Sequence, residues 1–186
     1  MKYSIDFICN DFRKKSKMKY IFFWGHQPSA DGSVTKSCLS QWYDCKFIVD
    51  GVEYHTAEQY MMSQKALLFG DTKINQEIMQ ANHPKQFKDM GRRISGFNEK
   101  VWNDNKTDIV IKGNYAKFSQ NPELKGFLIG TYNRILVEAS PYDKIWGIGM
   151  SAVDKNINNP LEWNGENLLG FCLMEVRDML LEGKDD

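Results

Sequence analysis

No stretch of this 186-residue chain holds the roughly 20 successive apolar residues that a membrane-spanning helix needs. The first twenty residues, MKYSIDFICNDFRKKSKMKY, mix acids and bases through their apolar positions. They never provide the apolar core of about 7–15 residues that a secretory signal requires. Net charge is missing as well: 24 basic and 24 acidic residues cancel, so composition does not call for a polyanion-binding surface. Histidine is scarce, with only His26, His55 and His83. None shares ligand-like spacing with Cys9, Cys38, Cys45 or Cys172, and those cysteines lack a Cys-x-x-Cys pair, so no metal site is expected. Phosphate-cradling glycine loops, a Gly-x-Ser-x-Gly elbow and a dinucleotide fingerprint are absent, as are repeats and low-complexity segments. A chain of this size needs no disulfide staples, which points to a reducing, cytoplasmic setting. Chemistry without a cofactor is what these absences leave.

What is present is a core. Apolar residues make up 42% of the chain and aromatics 13%, enough for one substantial domain. Tyr20 to Trp24 reads as a buried strand broken by Gly25 to Pro28, and Pro28 to Lys36 as an exposed loop. Phe47 to Tyr54 reads as a hairpin with a type I′ turn at Asp50-Gly51. Thr56 fits an N-cap and Gly70 a terminator for the helix between them. Two short helices are predicted over 71–81 and 84–92, a longer one over 98–117, and another from Asn121-Pro122 to Gly130. Ile135 to Ala139 has strand character, and Gly165-Glu166 leads into a closing amphipathic helix ending near Leu181. The fold class expected is α+β, a mostly helical single domain with a small β-sheet. Residues 1–18 form an N-terminal extension, with a short helix or strand that caps the domain of residues 19–186.

The helix within YHTAEQYMMSQKALLF, Tyr54–Phe69, carries the most information. At about 100° per residue, Glu58 and Lys65 share a stripe with Met62 and Phe69. Ala57, Met61 and Leu68 cover the next sector, which leaves Gln59, Ser63 and Gln64 as the wet face. A solvated pair is the ordinary explanation for a Glu and a Lys on one helix. The apolar surroundings favour another, since burial lowers a lysine's pKa until the free amine can attack a carbonyl or an anomeric carbon.

A second cluster runs Glu138-Ala139-Ser140-Pro141-Tyr142-Asp143-Lys144-Ile145-Trp146-Gly147-Ile148-Gly149, where a strand ends in a turn that displays an acid and an indole. Asp143 there fits an Asx or capping bond as well as a functional role. Gly147 and Gly149 would let a backbone approach a ligand closely. Trp24, Trp42, Trp102 and Trp146 offer ring faces on which a planar base could stack, or core filling.

Several long motifs in one order resemble the NADAR or YbiA-like family across residues 20–181. They are FFWGH at Phe22–His26, LSQWYDCKFIVDGVEYHTAEQYMMSQKA at Leu39–Ala66, GRRISGF with Trp102 following, KFSQNPELKGFLIGT at Lys117–Thr131, LVEASPYDKIWGIGM at Leu136–Met150 and WNGENLLGFCLMEVR at Trp163–Arg177. The chain departs from the family pattern at Gln59, where many members have His, and at Gln41-Trp42, where many have Asn-Phe. The resemblance implies cleavage of an N-glycosidic bond between ribose and a base. The substrates it implies are phosphoribosylamino-pyrimidine intermediates of riboflavin synthesis, or ADP-ribose attached to guanine, free or in nucleic acid. From the residues themselves no cofactor, membrane or obligate protein partner is expected. By the same resemblance Glu58 is a proton shuttle and Lys65 the nucleophile of a Schiff base, while Asp143 positions ribose hydroxyls or shares the proton transfers. Trp24, Gly25, Trp42, Trp102, Trp146 and Gly147 would be substrate-binding, with Arg92 on a phosphate and Asn167 on the sugar or phosphate. The rival from another class is a module that binds ADP-ribose or a modified base without cleaving it. A nucleic-acid-binding protein has only aromatic abundance in its favour.

Overall fold

The computed structural model describes residues 1–183. In chain order its elements are α1 (Ile5–Arg13), β1 (Tyr20–Phe23), β2 (Phe47–Val49), β3 (Val52–Tyr54), α2 (Ala57–Leu68), α3 (Thr72–Gln80), α4 (Pro84–Gly91), α5 (Glu99–Gln120), α6 (Pro122–Ile129), β4 (Ile135–Glu138) and α7 (Leu168–Glu182), with 3-10 turns at Lys36–Leu39 and Pro160–Glu162. The fold is α+β and mainly helical. Its strands form two two-stranded sheets, and the chain divides into two compact units, one of Gln41–Pro122 and one of residues 1–40 with residue 123 onward.

The 41–122 unit is built around α2. Its hairpin turns where Asp50 and Gly51 both take positive φ, 50° and 80°, the backbone of the type I′ turn that Asp-Gly spacing predicts. Phe47 pairs with Tyr54 across the hairpin, and both rings pack with Tyr60, Val49 and Ala116. Thr56 caps α2 by accepting from the Gln59 amide at 3.0 Å. Helices α3, α4 and α5 all pack on α2, so the face expected to be wet is covered. Gln59 is 2% exposed and Ser63 1%. Their polar groups are satisfied inside: Gln59 accepts from the His55 amide and donates to the Ile78 carbonyl, and Ser63 Oγ donates to Asn75 Oδ1. Polarity alone misplaced this face, because internal partners offset the desolvation of an amide or hydroxyl.

In the other unit β1 and β4 run parallel, with Tyr20 opposite Ile135 and Phe23 opposite Glu138. Of β1 only Phe23 is buried, and Trp24, expected to end a buried strand, is 56% exposed. Helix α7 packs on β4 and is buried on more sides than an amphipathic pattern suggests, from Leu169 to Leu180. The N-terminal segment explains part of this. Lys2 donates through its backbone to Glu175 and through Nζ to Asp178, Tyr3 Oη donates to Asp178 at 2.8 Å, and α1 lies against the Pro160–Glu162 turn. Arg177, only 2% exposed, donates to Thr131 Oγ1 and the Arg134 carbonyl at 2.8 Å each.

Two glycines measure how tightly each helix packs. A Cβ on Gly170 would lie 2.0 Å from the Leu136 carbonyl oxygen, whereas one on Gly126, an exposed position of α6, meets nothing within 4 Å. Gly170→Ala is therefore expected to destabilise by about 1–3 kcal/mol or more. Gly126→Ala is expected to stabilise by about 0.5–1 kcal/mol. Thermal unfolding of the two variants should move in opposite directions.

Candidate active site

Glu58, Met62, Lys65 and Phe69 do form one stripe on α2, and each meets something distinct. Glu58 is in the first turn of α2 and Lys65 in the last, the placements that the helix dipole favours for an acid and a base. The Glu58 amide donates to the Gln41 carbonyl at 2.9 Å, and Gln41 is itself held by Asn114 Nδ2, 2.8 Å from its Oε1. The Glu58 side chain is 4% exposed. Met62 lies against the end of α4, where a Cβ on Gly91 would come within 2.1 Å of its sulfur. That close approach delivers the Gly91 carbonyl to Lys65 Nζ, which donates to it at 2.9 Å. Phe69 stands edge-on to Phe97 at 5.3 Å.

Lys65 is half-buried. Its ammonium sits over the Phe97 ring, 4.5 Å from the centroid, and over the Trp102 ring at 5.3 Å. Burial lowers its pKa from the ordinary 10.5, and the Glu58 charge opposes that shift. Lowering toward the neutral range is what a lysine needs to act as a nucleophile. A second lysine is buried more completely: Lys117, 0% exposed, lies 5.2 Å from the Phe118 ring and 5.6 Å from that of Tyr43. An amine with no exposed surface is shut away from a substrate, whereas Lys65 keeps part of its surface exposed. Trp42 is half-buried and meets His83 edge-on at 6.5 Å. Arg92 is exposed beside Gly91, 3.7 Å from Asp89, where a phosphate could still reach it.

In the other unit, Trp24 and Tyr142 are exposed with ring centroids 6.1 Å apart. Gly25 has φ +85° with open space where a Cβ would be, which leaves room for a ligand to approach its backbone. Asp143 Oδ1 accepts from the amides of Ile145 at 3.0 Å and Trp146 at 2.8 Å, the Asx-type cap of the turn. Trp146 is half-buried. Gly147 is approached by the protein's own backbone, since its Cβ would lie 2.9 Å from the Glu138 carbonyl and 3.0 Å from that of Asp143. That explains the glycine without a ligand. Asn167, expected on the sugar or phosphate, is corrected by its surroundings. It is 0% exposed, its Oδ1 accepts from the Glu138 amide and its Nδ2 donates to the Leu136 carbonyl, each at 2.9 Å. Both atoms clip β4.

Among the described residues no group of three or more His, Cys, Asp or Glu side chains is placed to hold a metal, and no helix is long and apolar enough to cross a membrane. Sequence reasoning missed Phe97, Asn114 and Lys117. Phe97 had a signal in its place just before the Asn98 cap of α5. Asn114 and Lys117 had none, since they stand on a helix whose polar residues outnumber its apolar ones.

The NADAR domain model matches residues 22–181. The chain belongs to the NADAR family. It is 45% identical over 166 residues to N-glycosidase R617 of Acanthamoeba polyphaga mimivirus, spanning 86% of this chain and 95% of that protein. It is 35% identical over 132 residues to N-glycosidase YbiA of Escherichia coli (strain K12), spanning 71% and 74%. The NMR structure of the E. coli protein YbiA superposes with a TM-score of 0.69 at 30% identity, covering 90% of this chain and 88% of that one. Helix α1 falls outside the matched NADAR span. The placement of Asn167 generates a test: Asn167→Leu strands a buried amide and a buried carbonyl of β4, a loss of about 2–4 kcal/mol. The melting temperature should fall by roughly 5–15 °C for a chain of this size. Turnover per folded molecule should follow the parent, whereas a ligand contact would raise KM.

Proposed function

We propose that this NADAR protein hydrolyses the N-glycosidic bond joining a base to a phosphorylated ribose or an ADP-ribose, with Lys65 as nucleophile. Its class is that of a hydrolase acting on N-glycosyl compounds, the class its relatives' names carry. The observation that supports the finer reading is the half-buried Lys65 amine with its lowered pKa, held at the Gly91 carbonyl. A free amine keeps N–H donors for that carbonyl and still has a lone pair to present.

Ring opening of the N-glycosyl compound leaves C1 doubly bonded to the base nitrogen, and Lys65 Nζ adds to C1. The base nitrogen then departs with a proton, delivered by Glu58 on this reading, and leaves a protonated imine between C1 and Lys65. Water adds to C1, Glu58 takes up a proton, and the amine leaves as the sugar regains its C1 oxygen. Net, one water is consumed and free base and free sugar are released. Asp143 is the third group of the proposal, through the ribose hydroxyls or the proton transfers, and Arg92 offers its charge to a phosphate. Candidate substrates are phosphoribosylamino-pyrimidines of riboflavin synthesis and ADP-ribosylated guanine, and the proposed place of action is the cytoplasm. A purely binding role would keep the aromatic surfaces without needing an amine of lowered pKa, and release of base detected by mass separates the two.

Glu58→Gln is expected to retain the fold and lose about 100- to 10,000-fold in kcat, the usual worth of a positioned acid–base. Lys65→Arg keeps a cation but no nucleophile, so turnover should vanish while the melting temperature stays close to the parent's. Borohydride added during turnover should leave a sugar-sized mass on the tryptic peptide that contains Lys65. Absence of an adduct with an active Arg variant would contradict the imine. The pH dependence has a definite sign. Only the deprotonated amine attacks, so kcat/KM should climb as Lys65 loses its proton, and because burial depresses that pKa the climb should come below the ordinary lysine range near 10.5.

A further inference from the structure

Phe97 is a large aromatic residue beside Lys65 that the chemistry above leaves unused. It immediately precedes Asn98, which caps α5 by accepting from the Val101 amide at 3.0 Å. Phe97 and Trp102 thus occupy the two positions that form a hydrophobic staple around a helix start. A staple accounts for apolar side chains at both positions. It requires neither aromatic rings, nor a cation over both of them, nor that one ring stay 47% exposed. All three hold here, with the Lys65 nitrogen 4.5 Å from the Phe97 centroid and 5.3 Å from that of Trp102. Phe69, edge-on at 62°, braces the Phe97 ring.

Ring faces attract cations within about 6 Å of the centroid and do little for a neutral amine. In the proposed reaction Lys65 attacks as the neutral amine. The bond from C1 to the base nitrogen breaks, the base leaves with a proton, and Nζ ends in a protonated C=N bond carrying the positive charge. The rings therefore bind the intermediate, and the transition state leading to it, more strongly than the reactive amine, which is the differential binding that accelerates a step. Resting on the imine reading above, we propose that Phe97 is a catalytic residue, its exposed face stabilising the iminium on Lys65 together with Trp102 and touching the C1 end of the sugar.

Graded fluorination tests this, because it drains the negative face of the ring with little change in shape. Phe97 is replaced by 4-fluoro-, 3,5-difluoro- and 3,4,5-trifluorophenylalanine, and kcat/KM is followed against pH with the phosphoribosyl or ADP-ribosyl compound that the parent protein cleaves. The plateau at high pH should fall stepwise, about three- to thirtyfold over the series. The midpoint should move to lower pH, because the ammonium loses the same support. Phe97→Leu, which keeps a staple, should lose a comparable factor, and Phe97→Tyr should restore most of it. An unchanged plateau and midpoint across the fluorinated series, in a protein whose parent form gives the borohydride adduct on Lys65, would overturn the proposal and leave Phe97 a staple. A parent protein that turns over without giving that adduct would instead remove the imine reading, and this role with it.

Discussion

A helix packed against three others has few directions in which a charge can stay solvated, and α2 is such a helix, enclosed by α3, α4 and α5. Its charged residues must therefore find partners inside or give up part of their charge. Glu58, at 4% exposure, sits where the helix dipole favours an anion, with its amide fixed by Gln41. Lys65 takes the carbonyl at the end of α4 and two ring faces. These contacts orient the amine but do not outweigh its desolvation, which is why its pKa falls. The proposed reactivity of Lys65 would thus be a consequence of packing.

Much of the fold could be read from the residues because its signals are local. A cap hydroxyl, an Asp-Gly turn and a proline at the start of a helix act within four residues, and Thr56, Asp50-Gly51, Pro84 and Pro122 all stand where such rules put them. What could not be read depends on residues far apart in the chain. Gln59 and Ser63 are dry because Ile78 and Asn75 receive them. The outer face of α7 is covered in part by Lys2 and Tyr3, more than 170 positions away. No periodicity within one helix announces such a partner.

The candidate site divides along the same line. The stripe of Glu58, Met62, Lys65 and Phe69 was legible because helical spacing is regular, whereas Phe97 joins it from a loop, through its contacts with Phe69 and Lys65. Asn167 shows the opposite failure, since a buried asparagine with both atoms bonded to a strand reads, in a string of letters, much like one waiting for a sugar. Lys117 shows that burial alone does not mark a candidate nucleophile. It is the more deeply buried lysine, and it lacks the exposed edge that Lys65 keeps.

The central claim is that Lys65 carries an amine made available by its surroundings, and its titration in solution tests this most directly. With 13C or 15N labels on the lysine side chains, and Lys65 assigned through the Lys65→Arg variant, the amine resonance can be followed from neutral pH upward. Lys65 should lose its proton before the bulk of the lysines, while Lys100, paired with Asp104 at 2.6 Å, should lose its proton later than an unpaired lysine. A Lys65 that titrates together with the solvent-exposed lysines would contradict the account.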